Sequence, residues 1–320
     1  MALVNWPQRF LTSSKVAMTD RPKNNRRVPF AGLIVLIAVA WLVGPGFVVH
    51  AQEQLAIVSD ERINECSGLA CSRVLTDAIW MHNDSGDKPR LFLVGADGET
   101  RNVVRLKDAK AVDWEDMCSF RVDDQPLLLI ADVGDNQAGR TSNKSPCTLY
   151  LLKEPAFSGT KEQSVQPDVR IHFEYDDGPH NCEGVAVDAV RREILLLTKE
   201  SPLTTAIYRM PLDVGQKEQQ LVAHQVARLP LAFATGLDVS PDGRTLAAVT
   251  MWEGWVCRRE TDQSWDDALH DSITRIEMPQ RRQGEAVCFS ADGKYLLLSS
   301  EKKKQPLWRL DWESSLPSTR

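Results

Sequence analysis

The amino-acid sequence predicts an all-β protein, and three observations support this prediction. Five short segments of similar pattern recur along the chain, each with an oxygen-bearing side chain ahead of a mainly apolar stretch. The stretches between them divide into short strands separated by turn residues. The repeat is close to 50 residues long and closes on itself from the end of the chain to its beginning. A repeat of this length with four strands is typical of a β-propeller blade.

The repeat length sets the expected number of blades. The segments are CSGLACS, DWEDMCS, CEGVAVD, ATGLDVS and GEAVCFS, and their leading residues are Ser67, Glu115, Glu183, Thr235 and Glu285. These residues are 48, 68, 52 and 50 positions apart, and the path from Glu285 to the chain end and on from Gln52 to Ser67 adds another 50. The long interval has 18 extra residues, too few for four more strands. We therefore predict five four-stranded blades, with six as the alternative, closed circularly by the N-terminal strand QLAIVS.

Each unit can be divided into strands in chain order. The first reads as GLACS, AIWMHND, RLFLVGA and NVVRLK, and the second as EDMCSF, PLLLIADV, TLYLLKE and VRIHFEY. The third reads as GVAVD, EILLLTKE, AIYRMPL and QLVAHQVA. In the last two units, SPDGRTL and SADGKYL contain the Asp-Gly pair of tight hairpin turns. DQSWDDALHD in the fourth unit indicates a helical insertion.

Residues 1–51 have the features of a secretory signal. A start of translation at Met18 in place of Met1 is an alternative for its first residue. The basic stretch RPKNNRRVPF precedes the apolar stretch AGLIVLIAVAWLV, and Val49 and Ala51 provide small residues for cleavage before Gln52. This predicts an exported, periplasmic or extracellular protein whose residues 52–320 form a single domain, with no stable membrane span after cleavage. Because the apolar stretch is long, an uncleaved N-terminal anchor is the alternative.

Charge and cysteine content restrict the partners. Residues 52–320 carry 32 Lys/Arg and 43 Asp/Glu, a net charge of −11, which repels nucleic-acid phosphates. We expect a monomer that binds a small molecule or an envelope component and no nucleic acid. The seven cysteines have no zinc-site spacing, and a bridge between Cys147 and Cys182 is predicted because both should start strands at the same end of the channel.

The leading residues are candidates for a metal site. The first strand of each blade lines the channel of a propeller, so Ser67, Glu115, Glu183, Thr235 and Glu285 should form a ring at one mouth. Three glutamates on one axis repel each other unless they are protonated, hydrated or bridged by a cation. Hard oxygen donors without thiolate or paired histidine favour calcium. The alternative is a hydrated ring without metal.

The ends of the second strands should surround this ring. Asp84, Asp87 and Asp135 are candidates for a general base, and Lys199 for balancing negative charge during catalysis. The candidate ligand-binding residues on the same face are Asn83, Asn136, Arg140, Glu200, Trp252 and Glu301. Trp252, together with Trp255, could stack on a ring-shaped ligand, and packing between blades is its alternative role.

The order Ser, Glu, Glu, Thr, Glu at these spacings resembles the calcium-activated nucleotidase (apyrase) family, with Thr235 at a serine position of that family. The resemblance implies a five-bladed propeller whose channel holds calcium through these residues. The pattern HNDSGD, DWED, GDN, EGVAVD and GEAVCFS is also similar to a group of uncharacterised secreted bacterial propeller proteins and to WD40-like, phytase-like and esterase-like propellers.

Two functions follow as hypotheses. The first is a calcium-dependent hydrolase of phosphate esters or anhydrides, in which the cation polarises a phosphoryl oxygen. The second is a non-catalytic secreted or envelope module that binds a sugar, a peptide or a surface component. A glycosidase would need one defined carboxylate pair, and the sequence has too many acids to choose it. No G-x-S-x-G elbow is present.

Overall fold

The strand pairing of the computed structural model establishes an all-β β-propeller. The structure describes residues 52–135, 146–157, 159, 162–201 and 203–316, which belong to one unit. The predicted signal of residues 1–51 and the candidates Asn136 and Arg140 lie outside the described residues. No helix in the described part of the chain has the length and apolarity needed to span a membrane.

The 21 described strands form four sheets, of four, eight, four and five strands. The eight-stranded sheet contains two successive four-stranded groups and the five-stranded sheet has one extra edge strand, so we divide the strands into five groups of four, called blades 1 to 5, plus that edge strand. Strand β1 (Gln52–Ile57) comes first in the chain but pairs in blade 5. Blade 1 contains β2 (Cys66–Cys71), β3 (Ala78–Asn83), β4 (Arg90–Gly95) and β5 (Thr100–Leu106). Blade 2 contains β6 (Trp114–Val122), β7 (Gln125–Asp132), β8 (Cys147–Lys153) and, after a strand described below, β10 (Val169–Tyr175).

The remaining blades follow the same order. Blade 3 contains β11 (Cys182–Asp188), β12 (Glu193–Ser201), β13 (Thr204–Pro211) and β14 (Glu218–Leu229). Blade 4 contains β15 (Ala234–Val239), β16 (Thr245–Thr250), β17 (Gly254–Arg258) and β18 (Thr274–Ile276), with helix α1 (Trp265–Asp271) between the last two. Blade 5 contains β19 (Gly284–Phe289), β20 (Tyr295–Ser300), β21 (Pro306–Asp311) and β1.

Circular closure is carried by the first strand of the described chain. β1 pairs antiparallel with β21, with Gln52 opposite Leu310 and Ile57 opposite Pro306. The first strands of neighbouring blades also contact each other all the way around, including β19 of blade 5 with β2 of blade 1. The predicted closing strand is therefore confirmed, and so is the predicted helix in the fourth unit.

The core lies between the blades. Each of the five described apolar clusters contains side chains from two neighbouring blades, for example Leu69 with Ala286 between blades 1 and 5. The strands are buried on both faces because each sheet packs against two others, which explains why their sequences lack a clear polar-apolar alternation.

Two outer-edge pairings were not predicted from the sequence. β9 (Glu162–Val165) lies between the third and fourth predicted strands of the second unit and pairs in parallel with β5, with Glu162 opposite Val103. β10 pairs in parallel with β14, with Arg170 opposite Glu218, and joins the outer edges of blades 2 and 3. Backbone hydrogen bonds hold β9 at a polar edge, so its sequence carries no apolar pattern.

The predicted disulfide is not present in the structure. All seven cysteines are free thiols, including Cys147 and Cys182. Both contribute to the cluster between blades 2 and 3, but each thiol hydrogen-bonds a backbone carbonyl instead. Cys147 Sγ lies 3.8 Å from the Val133 oxygen, and Cys182 Sγ lies 3.5 Å from the Gly184 oxygen.

Candidate functional site

The five predicted ring residues occupy the same structural position in their blades. In every pairing of a first strand with its second strand, the register skips one residue near the start of the first strand. The skipped residues are Ser67, Glu115, Glu183, Thr235 and Glu285. Such a bulge leaves one residue outside the ladder and re-aims its side chain. The structure thus brings all five to one level, at one end of the channel.

The two hydroxyl groups of the ring connect neighbouring first strands. The Ser67 hydroxyl donates to the backbone oxygen of Glu115 in the next blade. The Thr235 hydroxyl donates to the Gly284 oxygen at 3.0 Å. Each hydroxyl group thus donates its proton to a hydrogen bond between neighbouring blades. The lone pairs of the hydroxyl oxygen remain available to a ligand.

The glutamates of the ring differ in their partners. Glu183 Oε1 lies 2.7 Å from Lys199 Nζ and also accepts from Asn181. Glu285 Oε1 accepts from Gln283 Nε2 at 3.2 Å, and its carboxyl group also hydrogen-bonds Glu301. Lysine thus neutralises one of these two glutamates, while the other faces a second acid.

Glu115 has no such compensation. Its side chain is buried, with 3% relative exposure for the residue, and its Oε1 has no hydrogen-bond partner. A ligand atom of Glu115 and ligand atoms of Asp84 and Asp113 all lie within 4.8 Å of one another. We call these three residues the acidic cluster. A buried carboxylate oxygen without a donor is costly unless a proton or a cation is bound there.

Gly134 provides the space that this cluster occupies. A Cβ atom at position 134 would lie 2.0 Å from Glu115 Oε1 and 2.6 Å from Asp113 Oδ2. The backbone nitrogen of Gly134 donates to the Asp113 oxygen at 3.1 Å, which fixes the loop after β7 against the cluster. Any larger residue would push the carboxylates apart.

Burial and mutual repulsion raise the pKa values at this mouth. The pKa of Glu115 is held well above its ordinary value, first by burial and then by the charges of Glu183 and Asp84. Burial raises the pKa of Asp84 to about 6. Burial and the neighbouring Glu301 raise the pKa of Glu285 to about 8. For Glu183 burial again raises the pKa, although Lys199 opposes the shift. These carboxyl groups share one electrostatic environment that favours a bound proton or cation.

Asp87 and Asn83 hold the local structure. Burial raises the pKa of Asp87, but hydrogen bonds lower it by more, so that it lies below its usual value. Arg90 donates to both carboxylate oxygens of Asp87, at 2.9 and 2.7 Å. Asn83 donates to Asp87 at 2.8 Å and to the Arg62 oxygen at 2.7 Å. Both side chains are therefore occupied in positioning the loop before β2.

The other predicted residues surround the ring in different ways. The backbone nitrogen of Asp135 donates to Asn181 at 2.6 Å, so that Asn181 connects this loop to Glu183. Glu301 is buried and lies 2.8 Å from Lys302 Nζ. Trp252 is 57% exposed and makes an edge contact with Phe233 at 5.4 Å.

Glu200 belongs to a second polar group that the sequence analysis did not assign. His180 Nδ1 lies 2.9 Å from Glu200 Oε1, and His180 Nε2 lies 2.8 Å from Asp177 Oδ1. The Tyr208 hydroxyl contacts Asp177 and His180, each at 2.9 Å. This His180 group adjoins the ring because Asn181, the next residue, contacts Glu183.

Sequence reasoning also missed Asp113, Gly134 and two acids in the channel wall. Asp116 Oδ2 accepts from Val185 at 3.0 Å and from Leu237 at 3.2 Å, which connects three first strands. Asp238 accepts from Phe289 at 2.7 Å in the same manner. The three acids of DWED and the glycine of GDN are the sequence signals for Asp113, Asp116 and Gly134. The repeat itself points to only one residue in this segment, Glu115, which the structure shows to be the bulged one.

Comparisons with known proteins give no family. No protein-family model matches the chain, and no curated protein matches it. The chain is similar to a PQQ-bound aldose sugar dehydrogenase from Streptomyces coelicolor, with 10% identity, a TM-score of 0.49 and coverage of 81% of this chain and 97% of that one. It is similar to a gluconolactonase from Xanthomonas campestris, with 13% identity, a TM-score of 0.44 and coverage of 79% and 72%.

A β-propeller domain from Myceliophteria thermophila is similar at 14% identity, with a TM-score of 0.39 and coverage of 79% of this chain and 72% of that one. At these identities the likeness concerns the fold alone. The strand pairing described above establishes the β-propeller independently of it.

Proposed function

We propose that the protein is an exported, calcium-dependent hydrolase of phosphate esters or anhydrides that acts at the mouth formed by the ring. The observation that carries this proposal is the acidic cluster, with the buried Glu115 Oε1 that lacks a donor. Three carboxylates and nearby hydroxyl groups are hard oxygen donors, which suit calcium. Bound there, calcium would supply charge for the phosphoryl oxygen and orient a water.

The chain's own residues have distinct parts in this proposal. Asp84, Asp113 and Glu115 would hold the cation, with Ser67 and Glu183 beside them. Lys199 is 28% exposed and keeps its ammonium group at the mouth through Glu183, where it can contact an anionic substrate. The His180 group supplies a side chain that can exchange protons, held by Asp177 and Glu200. Export is proposed from the leader-like residues 1–51.

The second candidate is a binding module without catalysis. Trp252 favours it, since an aromatic side chain that is 57% exposed beside a polar mouth suits stacking on a sugar or another ring-shaped ligand. In that case calcium would stabilise the blades and take no part in a reaction.

Phosphate release separates the two candidates. The purified protein is incubated with nucleoside diphosphates or p-nitrophenyl phosphate, in calcium or in chelator. We expect release only with calcium, and a loss of about a hundredfold or more in Glu115→Gln and Glu183→Gln. The control is Glu218→Gln, because Glu218 is 60% exposed on the outer strand of blade 3 and should leave the rate unchanged.

The alternative outcome is equally defined. Absence of turnover, together with a melting temperature that rises with calcium in the wild type and not in Glu115→Gln, would reject the hydrolase and favour the binding module. Absence of any calcium effect on turnover or melting would reject the cation site itself.

A further inference from the structure

The end of the channel opposite the ring contains a cavity of about 570 Å³. It is lined by the segments that follow the first strands, such as Ser72 after β2 and Ser240 after β15, and it extends outward between blades 1 and 5. Its volume falls within the usual range of small-molecule sites. The ring residues and the acidic cluster lie at the other end of these strands, so the two sites are separate.

Arg73 crosses the inner end of this cavity. Its Nε and Nη2 donate to the hydroxyl and backbone oxygens of Ser119 at 3.0 and 2.9 Å, and its Nη1 donates to the Ala291 oxygen at 3.2 Å. These three bonds fix the guanidinium between blades 2 and 5. Because a guanidinium has five N–H groups, two donors remain for a ligand.

Arg121 lies beside it. Its Nη2 donates to the Arg73 backbone oxygen at 2.6 Å, and its Nη1 donates to the Asp124 backbone oxygen at 2.7 Å. The five acceptors of these two guanidinium groups are thus all neutral oxygens. Neither arginine forms an ion pair with a carboxylate in the described ranges. Two acids lie near Arg73, since Glu154 accepts from its backbone nitrogen at 2.8 Å and the charge of Arg73 opposes the rise that burial causes in the pKa of Asp238.

Two other charged side chains of the cavity wall have partners of their own. Arg309 pairs with Glu53, and Asp292 lies 3.4 Å from Lys294 Nζ. Asp77 is the remaining acid in the wall, and no ion pair joins it to Arg73 or Arg121. In a chain with a net charge of −6, this end of the channel thus holds two guanidinium groups outside ion pairs, which can attract an anion.

Apolar side chains form the rest of the wall. Ile79 and Leu297 lie in the cleft between blades 1 and 5, with Leu55 of the closing strand beside them. Val74, at the rim next to Arg73, is 50% exposed. A ligand that filled this cleft would bury apolar surface while its charged end remained near the arginines.

We propose that this cavity binds a small carboxylate with an apolar body. The carboxylate would accept from the free N–H groups of Arg73 and Arg121, a geometry in which arginine forms strong paired hydrogen bonds. The apolar body would lie between blades 1 and 5, against Ile79 and Leu297. This site requires neither the cation nor the hydrolase activity proposed above.

Titration calorimetry with a matched pair of probes tests the inference. The purified protein is titrated with 3-phenylpropanoate and with its uncharged amide. We expect the acid to bind and the amide to bind at least about tenfold more weakly, since one charge-assisted hydrogen bond contributes about that factor. The Arg121→Gln variant should bind the acid about tenfold more weakly than the wild type and should bind the amide with unchanged affinity.

Controls keep the result interpretable. Arg275→Gln, at a residue 65% exposed on blade 4, should bind the acid as the wild type does, and so should Glu115→Gln at the acidic cluster. Arg73→Gln should bind more weakly still, and if it does not fold, Arg121→Gln decides the result alone. The inference is overturned if the acid does not bind up to on the order of 10 mM, if acid and amide bind equally, or if Arg121→Gln has no effect.

Discussion

At the scale of single residues, the buried carboxyl group of Glu115 and the missing side chain of Gly134 belong together. The free volume at Gly134 is what allows Glu115 and Asp113 to approach each other. A side chain at position 134 would overlap both carboxylates, and such overpacking destabilises a core. The absence of a side chain therefore serves two acids that approach each other, an arrangement that a bound ligand would compensate.

The substitution Gly134→Ala adds only one methyl group, but it should strongly affect both calcium binding and stability. Its Cβ would displace the Glu115 carboxylate, so we expect the rise in melting temperature with calcium to disappear and the free energy of unfolding to fall by about 1–3 kcal/mol. Differential scanning calorimetry with calcium and with chelator measures both. Gly215→Ala is the matched control, since the nearest atom to its new Cβ is Asp213 Oδ1 at 3.3 Å. An unchanged calcium response in Gly134→Ala would contradict the assignment of the cluster.

At the scale of the elements, helix α1 is fixed to the propeller by one buried ion pair. Arg259 Nη2 lies 3.1 Å from Asp188 Oδ2, and their side chains are 2% and 0% exposed. Trp265 of the helix donates to the same oxygen at 3.0 Å, and the Arg259 guanidinium lies 5.1 Å from its ring centroid. The pair joins the end of β11 in blade 3 to the insertion of blade 4.

Removal of one partner should show the strength of this connection. Arg259→Met leaves Asp188 buried without its cation, and we expect about 3–5 kcal/mol of destabilisation. Arg258→Met is the control, because Arg258 pairs with Glu313 at the surface, where both side chains are about 60% exposed, and should change stability by less than about 1 kcal/mol. Urea denaturation of both variants tests this, and equal midpoints would contradict it.

The elements also show what the sequence could predict. The inner strands were predictable because each needs an apolar run buried between two sheets, with turn residues separating the strands. The closing strand β1 is half-buried or exposed, and it was predictable from the circular closure of the repeat instead. β9 was not predictable, since its residues are exposed or half-buried and only pairing with β5 holds them. The ring positions followed from the repeat, whereas Asp113 and the His180 group depend on how loops of different blades meet.

At the scale of the whole molecule, the raised carboxyl pKa values make stability depend on pH. The pKa values of Glu285, Asp238 and Asp84 are raised to about 8, 7 and 6, chiefly by burial. Each group binds its proton more tightly in the folded than in the unfolded chain. Their contribution is therefore fully present below the unfolded pKa and is lost as the pH rises through the folded values.

In chelator, the melting temperature should fall between pH 5.5 and 8.5. We expect Glu285→Gln to flatten the upper part of this profile, because the amide has no proton to lose. Calcium should also reduce the slope, since a cation replaces the protons. A profile that rises with pH in the wild type, or that is identical in Glu285→Gln, would contradict the pKa assignment.

The position where the chain enters blade 5 also matters for handling the protein. Gln52 pairs with Leu310, and the adjoining Asp311 pairs with Tyr295, at the end of the sheet remote from Gly284 and its partner Ser300. A tag or solid support that replaces residues 1–51 and is joined to Gln52 would therefore crowd the arginine cavity, whose wall includes Leu55 and Arg309. The carboxylates would remain accessible, so immobilisation at Gln52 should impair one site and spare the other.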